Sequence, residues 1–117
     1  MWARRSSRAA AAAPEDAAPV FAALGDPTRL RLVGRLSREG PLSISRLSDG
    51  AGVSRQAVSK HLRVLAGAGL ARGTRLGREQ RWQLEAAPLD EARRSLERIA
   101  QRWDEALGRL QAAVEGD

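Results

Sequence analysis

Cysteine is absent from the 117 residues. That excludes a disulfide framework, thiolate zinc sites and thiol catalysis, and it fits a reducing compartment, so the chain is expected in the cytoplasm. Tyrosine is also missing and aromatic residues make up 3%, leaving few rings on which unpaired bases could stack. The single histidine is His61. With no thiol and no second imidazole, a transition-metal site lacks its preferred ligands, and neither a metal nor a cofactor is expected. No apolar run approaches the ~20 residues that span a bilayer, so no membrane partner is expected. The start, Met1 to Arg8 followed by Ala9 to Ala13, faintly imitates a secretory leader. Its apolar part is too short and too weak, and Pro14-Glu15-Asp16 follows at once. Residues 1–18 read instead as a disordered tail. No Gly-rich phosphate loop, nucleophile elbow or paired-carboxylate cleft is evident, which argues against an enzyme.

Alanine and leucine dominate what is present. Hydrophobic residues make up 43% of the chain, with 22 Ala and 15 Leu against 6 Val and 2 Ile. That balance favours helices over sheets. So short and Ala-rich a chain buries little surface, so a partner chain is expected to complete its core. The net charge is +6, and Lys60 is the one basic residue that is not Arg. The excess is local: residues 54–85 hold seven basic side chains against two acidic ones, whereas residues 86–117 hold five against seven. A concentrated basic segment is the footprint of a polyanion binder.

Hydrophobic spacing supplies the architecture. A short helical stretch at 19–24 closes at Gly25. Asp26 can cap the next helix, with Pro27 at its first position and Leu30, Val33 and Leu36 facing inward until Gly40-Pro41. Ser43 caps a helix to about Asp49 that buries Ile44 and Leu47, and Gly50-Ala51-Gly52 is a turn. Ser54 caps a further helix to about Ala66, with Val58, Leu62 and Leu65 inward. Two short helices around a Gly-containing turn make a helix-turn-helix. The period then shifts to two: Leu70–Arg75 and Gln80–Leu84 read as strands around Leu76-Gly77-Arg78-Glu79, a β-hairpin wing in which Trp82 packs inward. Pro88 opens a last helix with Asp90 and Glu91 in its first turn. Along it Leu89, Ala92, Leu96, Ile99, Trp103, Ala106, Leu110 and Ala113 recur at intervals of three and four, a heptad seam suited to subunit pairing in which Trp103 is the packing anchor. The expected fold is mainly α with a small wing: a winged helix-turn-helix at 19–87 and a dimerisation helix at 88–117 within the same domain.

These residues resemble a known family. Phe21-Ala22-Ala23-Leu24-Gly25-Asp26-Pro27-Thr28-Arg29-Leu30-Arg31-Leu32 is similar to the opening signature of ArsR-type winged-helix repressors. Val53-Ser54-Arg55-Gln56-Ala57-Val58-Ser59-Lys60-His61-Leu62-Arg63-Val64-Leu65, followed by Ala68-Gly69-Leu70, resembles their recognition-helix signature. The resemblance implies a homodimeric, operator-binding repressor whose first and last helices form the dimer interface, here through Phe21, Leu24, Leu96, Ile99, Trp103 and Leu110. It also marks a departure. Where metal-sensing members carry a thiolate motif, this chain has Ser43-Ile44-Ser45-Arg46-Leu47-Ser48-Asp49. On the last helix, Asp90, Glu91, Asp104 and Glu105 have no His beside them. The chain resembles the family's metal-independent branch.

If Val58, Leu62 and Leu65 face inward, the outer face of their helix presents Arg55, Gln56, Ser59, Lys60 and Arg63. Arg suits a guanine edge and Gln an adenine edge, and recognition helices read bases with their N-terminal residues. Arg55, Gln56 and Ser59 are therefore the expected base readers on double-stranded DNA, with Lys60 and Arg63 on phosphate. Backbone N–H groups at Ser54 and at Ser43 to Ser45 can also meet phosphate, and the wing offers Arg75, Arg78 and Arg81. His61 is assigned a structural or backbone-contacting role. An alternative reading, a winged-helix module that binds only protein, would want an apolar or acidic outer face. No motif specifies the chemistry of a small-molecule effector.

Overall fold

The computed structural model describes residues 14–116. A 3₁₀ turn at Pro14–Ala17 runs into α1, Ala18–Leu24. Then follow α2 (Pro27–Glu39), β1 (Leu42–Ser43), α3 (Ile44–Ser48), α4 (Arg55–Gly67), β2 (Ala71–Leu76), β3 (Glu79–Leu84) and α5 (Ala86–Glu115). This is the expected mainly helical fold with a small β wing.

The caps lie where the sequence puts them. Asp26 accepts from Arg29 N, Ser43 from Arg46 N and Ser54 from Ala57 N, at 3.0, 3.2 and 3.1 Å. Each satisfies an amide that the helix itself leaves unpaired. Leu47, Val58, Leu62, Leu65 and Leu70 are fully buried and form the centre of the core, with Leu32, Leu36, Leu42 and Trp82 around them. The wing strands pair antiparallel from Ala71↔Leu84 to Leu76↔Glu79. The connection is two residues, and Gly77 has φ 64°, the positive value a type II′ hairpin turn requires at its first central position.

Several expectations need correction. Ordered structure reaches back into the segment read as tail: Pro14–Ala17 is a turn, Ala18 is helical, and Ala17 is buried. Alanine looks featureless in a sequence, but it is the best helix former and small enough to sit where the turn meets α5. The leader-like residues 1–13 lie outside the described residues. On α2 the buried stripe is Leu32 and Leu36 with Val33 half-buried, while Leu30 is 54% exposed. Positions 29, 32, 33 and 36 share one face of a helix, and Arg29 is turned inward, so Leu30 is carried out.

A third strand was not expected. Leu42 and Ser43 pair with Trp82 and Arg81 at the edge of the wing, giving the order β1-β3-β2. Two residues are too few to show alternation. Trp82 lies across Gly73, its cross-strand partner. A Cβ there would meet the indole at 3.3 Å, tighter than ordinary contact, whereas the Gln80 amide at 2.7 Å could swing aside, so the glycine eases the approach of the ring rather than supplying special dihedrals.

α5 begins at Ala86, not at Pro88. Pro88 is tolerated as the third residue because the first-turn N–H groups have no intrahelical acceptor. Asp90 therefore lies beyond the first turn and accepts from Arg93 at 2.7 Å and from Arg94. Within the seam Ala92 is buried and Leu89 and Ile99 are half-buried, but Leu96, Trp103 and Leu110 are 53%, 64% and 62% exposed. Leu107 and Val114, outside the expected heptad positions, are exposed as well. Past Ile99 the helix has outrun its own domain.

Two arginines of α2 fasten the helices together. Arg29 donates from Nε to Ala23 O at 2.6 Å and from Nη2 to Ala22 O at 3.4 Å, covering the carbonyl end of α1. Arg35 does the same for α3, donating from Nη1 to Arg46 O at 2.9 Å and Asp49 O at 3.2 Å. Its Nε donates to Glu39 Oε2 at 3.1 Å, which holds that carboxyl below its ordinary value. Replacing Arg35 by Ala should cost on the order of 1.5–3 kcal/mol, the usual worth of a hydrogen bond to a charged group. Urea denaturation should show a lower midpoint with an unchanged slope; an unchanged midpoint would mean that the carbonyl end of α3 is equally well satisfied by water.

Candidate nucleic-acid interface

The turn between α3 and α4 is drawn tight by Gly50 and Gly52, at φ 72° and 74°. Side chains are strained there, and glycine is not. The turn sets α4 with its apolar face on the core and its opposite face in solvent. Arg55, Gln56, Lys60 and Arg63 are exposed and Ser59 is half-buried. Ser54, Gln56, Ser59, Lys60 and Arg63 line one continuous groove along that face. Arg63 Nη1 donates to Ser59 Oγ at 3.4 Å, one turn back, so these two expected contacts are linked before any ligand arrives.

A second concavity, of about 370 Å³, joins three elements. Ser43 and Ser45 come from the start of α3, Arg55 from the start of α4 and Arg78 from the wing tip, with Glu79 and Gln80 beside it. Residues 35 positions apart thus share one surface. Glu79 and Gln80 were not anticipated; the period of two could have placed Gln80 on the face of Trp82. The Oγ atoms of Ser43 and Ser54 are occupied as cap acceptors, while their O–H groups remain able to donate.

The wing arginines do not act as one patch. Arg81 is paired across the ladder with Thr74, and Arg75 with Gln80, so Arg75 and Arg81 point to opposite faces. Arg81 is also held by Glu79 at 3.0 Å, and Arg72 by Glu85 at 3.5 Å. Arg55, Lys60, Arg75 and Arg78 have no ion pair among the described residues. These exposed cations face water at little cost and would release counterions on meeting phosphate.

The expected dimer residues fall on two adjoining helices. Phe21 and Leu24 are half-buried on α1, which packs against α5. Leu96, Trp103 and Leu110 continue the apolar surface outward along α5. His61, on the inner flank of α4, lies at 3.1 Å from Arg29 Nη1 and its Nδ1 at 3.9 Å from Asp26 Oδ2. The amide of Arg29 is the chief cause that lowers the Asp26 carboxyl below its ordinary value. No group of three or more His, Cys, Asp or Glu among the described residues could hold a metal ion.

Comparison with known proteins agrees with this geometry. A family model described as a helix-turn-helix domain matches residues 24–74. The HTH-type transcriptional regulator Rv2034 of Mycobacterium tuberculosis is 40% identical over 85 residues, covering 73% of this chain and 76% of that protein. An ArsR-like transcriptional regulator from Rhodococcus superposes with a TM-score of 0.72 at 40% identity, covering 83% of this chain and 91% of the other. A homodimeric winged helix-turn-helix DNA-binding domain of a possible ArsR-family regulator from Mycobacterium bovis superposes with a TM-score of 0.56 at 26% identity, over 72% of this chain and 77% of the other. With the fold, the motif order and these relatives in agreement, the chain belongs to the ArsR-type family of winged helix-turn-helix transcriptional regulators.

Proposed function

We propose that two copies of this chain bind an inverted-repeat operator in double-stranded DNA and repress transcription there, in the cytoplasm and without a metal. The observation that carries this reading is the concavity shared by Ser43, Ser45, Arg55 and Arg78, which makes the start of α4 and the wing one surface. A major groove about 12 Å wide admits one helix. With α4 in it, Arg55, Gln56 and Ser59 face base edges, Lys60 and Arg63 meet phosphate, and Arg78 reaches the backbone or the neighbouring minor groove. Arg75 and Arg81 contact phosphate from the two faces of the wing. Amides at Ser43, Ser45 and Ser54 add uncharged donors to the backbone. The protein acts by occupancy, as a binding protein rather than a catalyst.

The operator can be recovered by selecting bound duplexes from a random library with the purified full chain. Arg55→Ala or Gln56→Ala should then weaken operator binding by about 1–3 kcal/mol and relax preference at one base position. Arg78→Ala should weaken all duplexes alike and lower the salt slope, to which each phosphate contact adds about −0.9. A wing variant that changed base preference while the helix variants did not would invert the assignment.

Pairing of two chains rests on the exposed apolar face of α5, and the homodimeric relative supports it. Leu96, Ile99, Trp103 and Leu110 would meet a partner's α5, with Phe21 and Leu24 at the edge. Sedimentation should find a dimer at micromolar concentration. Trp103→Ala should weaken it by about 3–5 kcal/mol if the ring is fully packed in the pair. A monomeric wild type would overturn the claim.

Metal independence follows from donor chemistry. The chain has no thiol, and its one imidazole lies against Arg29 and near Asp26. Zinc, cadmium and arsenite should leave operator binding unchanged in chelator-treated buffer, as read by fluorescence anisotropy. Saturable release by a stoichiometric metal would point instead to Asp90, Glu91, Asp104 and Glu105 paired across a dimer.

A further inference from the structure

His61 is the one imidazole of the chain, and it sits at the meeting point of three helices. It is on α4, the helix that bears the DNA-facing residues. Its Nδ1 is 3.1 Å from Nη1 of Arg29 on α2. Through Nε and Nη2 the same guanidinium holds the carbonyls of Ala23 and Ala22 at the end of α1. A guanidinium has donors and no acceptor. The imidazole must therefore accept at Nδ1, which requires that Nδ1 carry no proton and that the ring proton be on Nε2. A protonated imidazole has no lone pair left for Arg29, and it would set two cations side by side.

Among the described residues, two charged groups meet the ring, Arg29 and Asp26. Asp26, in the turn before α2, is at 3.9 Å and is already engaged as the α2 cap by Arg29 N at 3.0 Å. α1 presents only main-chain carbonyls to this cluster. On α4 itself, Lys60 and Arg63 are exposed, and Arg63 is bonded to Ser59. Arg72 of β2 is paired with Glu85, and Arg46 of α3 makes no ion pair among the described residues.

We propose that Arg29 is a positioning residue for operator recognition, acting through the unprotonated Nδ1 of His61 to hold α4 at a fixed attitude to α1. The pair links the helix expected at the dimer interface to the helix that reads DNA. Helix orientation controls bidentate base contacts, which need narrow geometry, far more than phosphate contacts. Breaking the link should therefore reduce preference for the operator more than affinity for DNA in general. This inference rests on the reading of α4 as the recognition helix, so its first test uses no DNA.

In the free 117-residue chain the imidazole ¹⁵N spectrum has one histidine to report. At neutral pH it should show the Nε2–H tautomer, and Arg29→Met should shift the tautomer balance. A wild-type Nδ1–H tautomer would overturn the proposal whatever the DNA data say. The second test measures the ratio of operator to scrambled-duplex affinity by anisotropy as pH is lowered until the same ¹⁵N spectrum shows both ring nitrogens of His61 protonated. In the wild type the ratio should fall roughly tenfold, the scale of one lost hydrogen bond to a charged group. His61→Asn places an acceptor that cannot protonate where Nδ1 was, so it should keep the neutral-pH ratio and lose the pH dependence. A flat wild-type profile, or an Asn variant with the wild-type profile, would sink the idea. Recovery of no preferred duplex would instead count against the operator reading while leaving the tautomer result intact.

Discussion

The arrangement of this domain depends on two guanidinium groups projecting from a single helix. Arg29 and Arg35 are six residues apart on α2, and each covers the carbonyl end of a different neighbour, α1 and α3 respectively. Helix C-termini carry unpaired acceptors and the negative end of the macrodipole, so a planar, permanently charged donor fork suits them well. Alanine supplies much of the hydrophobic content and fills little volume. Leu47, Leu62 and Leu65 nevertheless fill the centre, and the directional bonds from α2 fix where the ends of α1 and α3 lie.

The surface proposed to face DNA is a consequence of that scaffold. α3 is only five residues long and cannot hold itself helical by propensity. Its Ser43 cap, the buried Leu47 and the clamp from Arg35 keep it in place. β1 then ties the entry to α3 directly to β3, through Leu42↔Trp82 and Ser43↔Arg81. The wing is thus joined to the helix-turn-helix by main-chain hydrogen bonds as well as by the Trp82 ring packed over Gly73. That connection brings Arg78 to the same concavity as Arg55.

The distal half of α5 has the opposite character. A helix of 30 residues is about 45 Å long at 1.5 Å per residue, and the domain covers only its first part. Trp103, Leu107, Leu110 and Val114 are left in solvent in the single chain. The exposed face is broader than a strict heptad seam, because Leu107 and Val114 flank it. Such a face suits contact with more than one element of a partner, and α1 with Phe21 and Leu24 adjoins it.

Sequence reading alone located the three capped helix starts, the fully buried stripe of α4, the wing and the existence of the long last helix, though not its first residue. Each is written in local chemistry: Asp26, Ser43 and Ser54 bond to amides three residues on, Val58, Leu62 and Leu65 recur at helical spacing, and Trp82 and Leu84 alternate with polar neighbours. The family motifs of residues 21–32 and 53–70 were legible for the same reason. The direction in which α2 faces needed the fold, because an amphipathic pattern with Leu30, Leu32, Val33 and Leu36 allows two adjacent stripes, and the bonds of Arg29 to α1 choose between them. The fold decided that β1 exists, since two residues carry no period, and that Arg75 and Arg81 diverge, since hairpin register is set by a two-residue turn rather than by charge. It also decided that Arg29 and Arg35 are internal clamps. In a sequence every arginine is the same cation; what separates a clamp from a phosphate contact is whether a helix end from elsewhere in the chain arrives within hydrogen-bond reach.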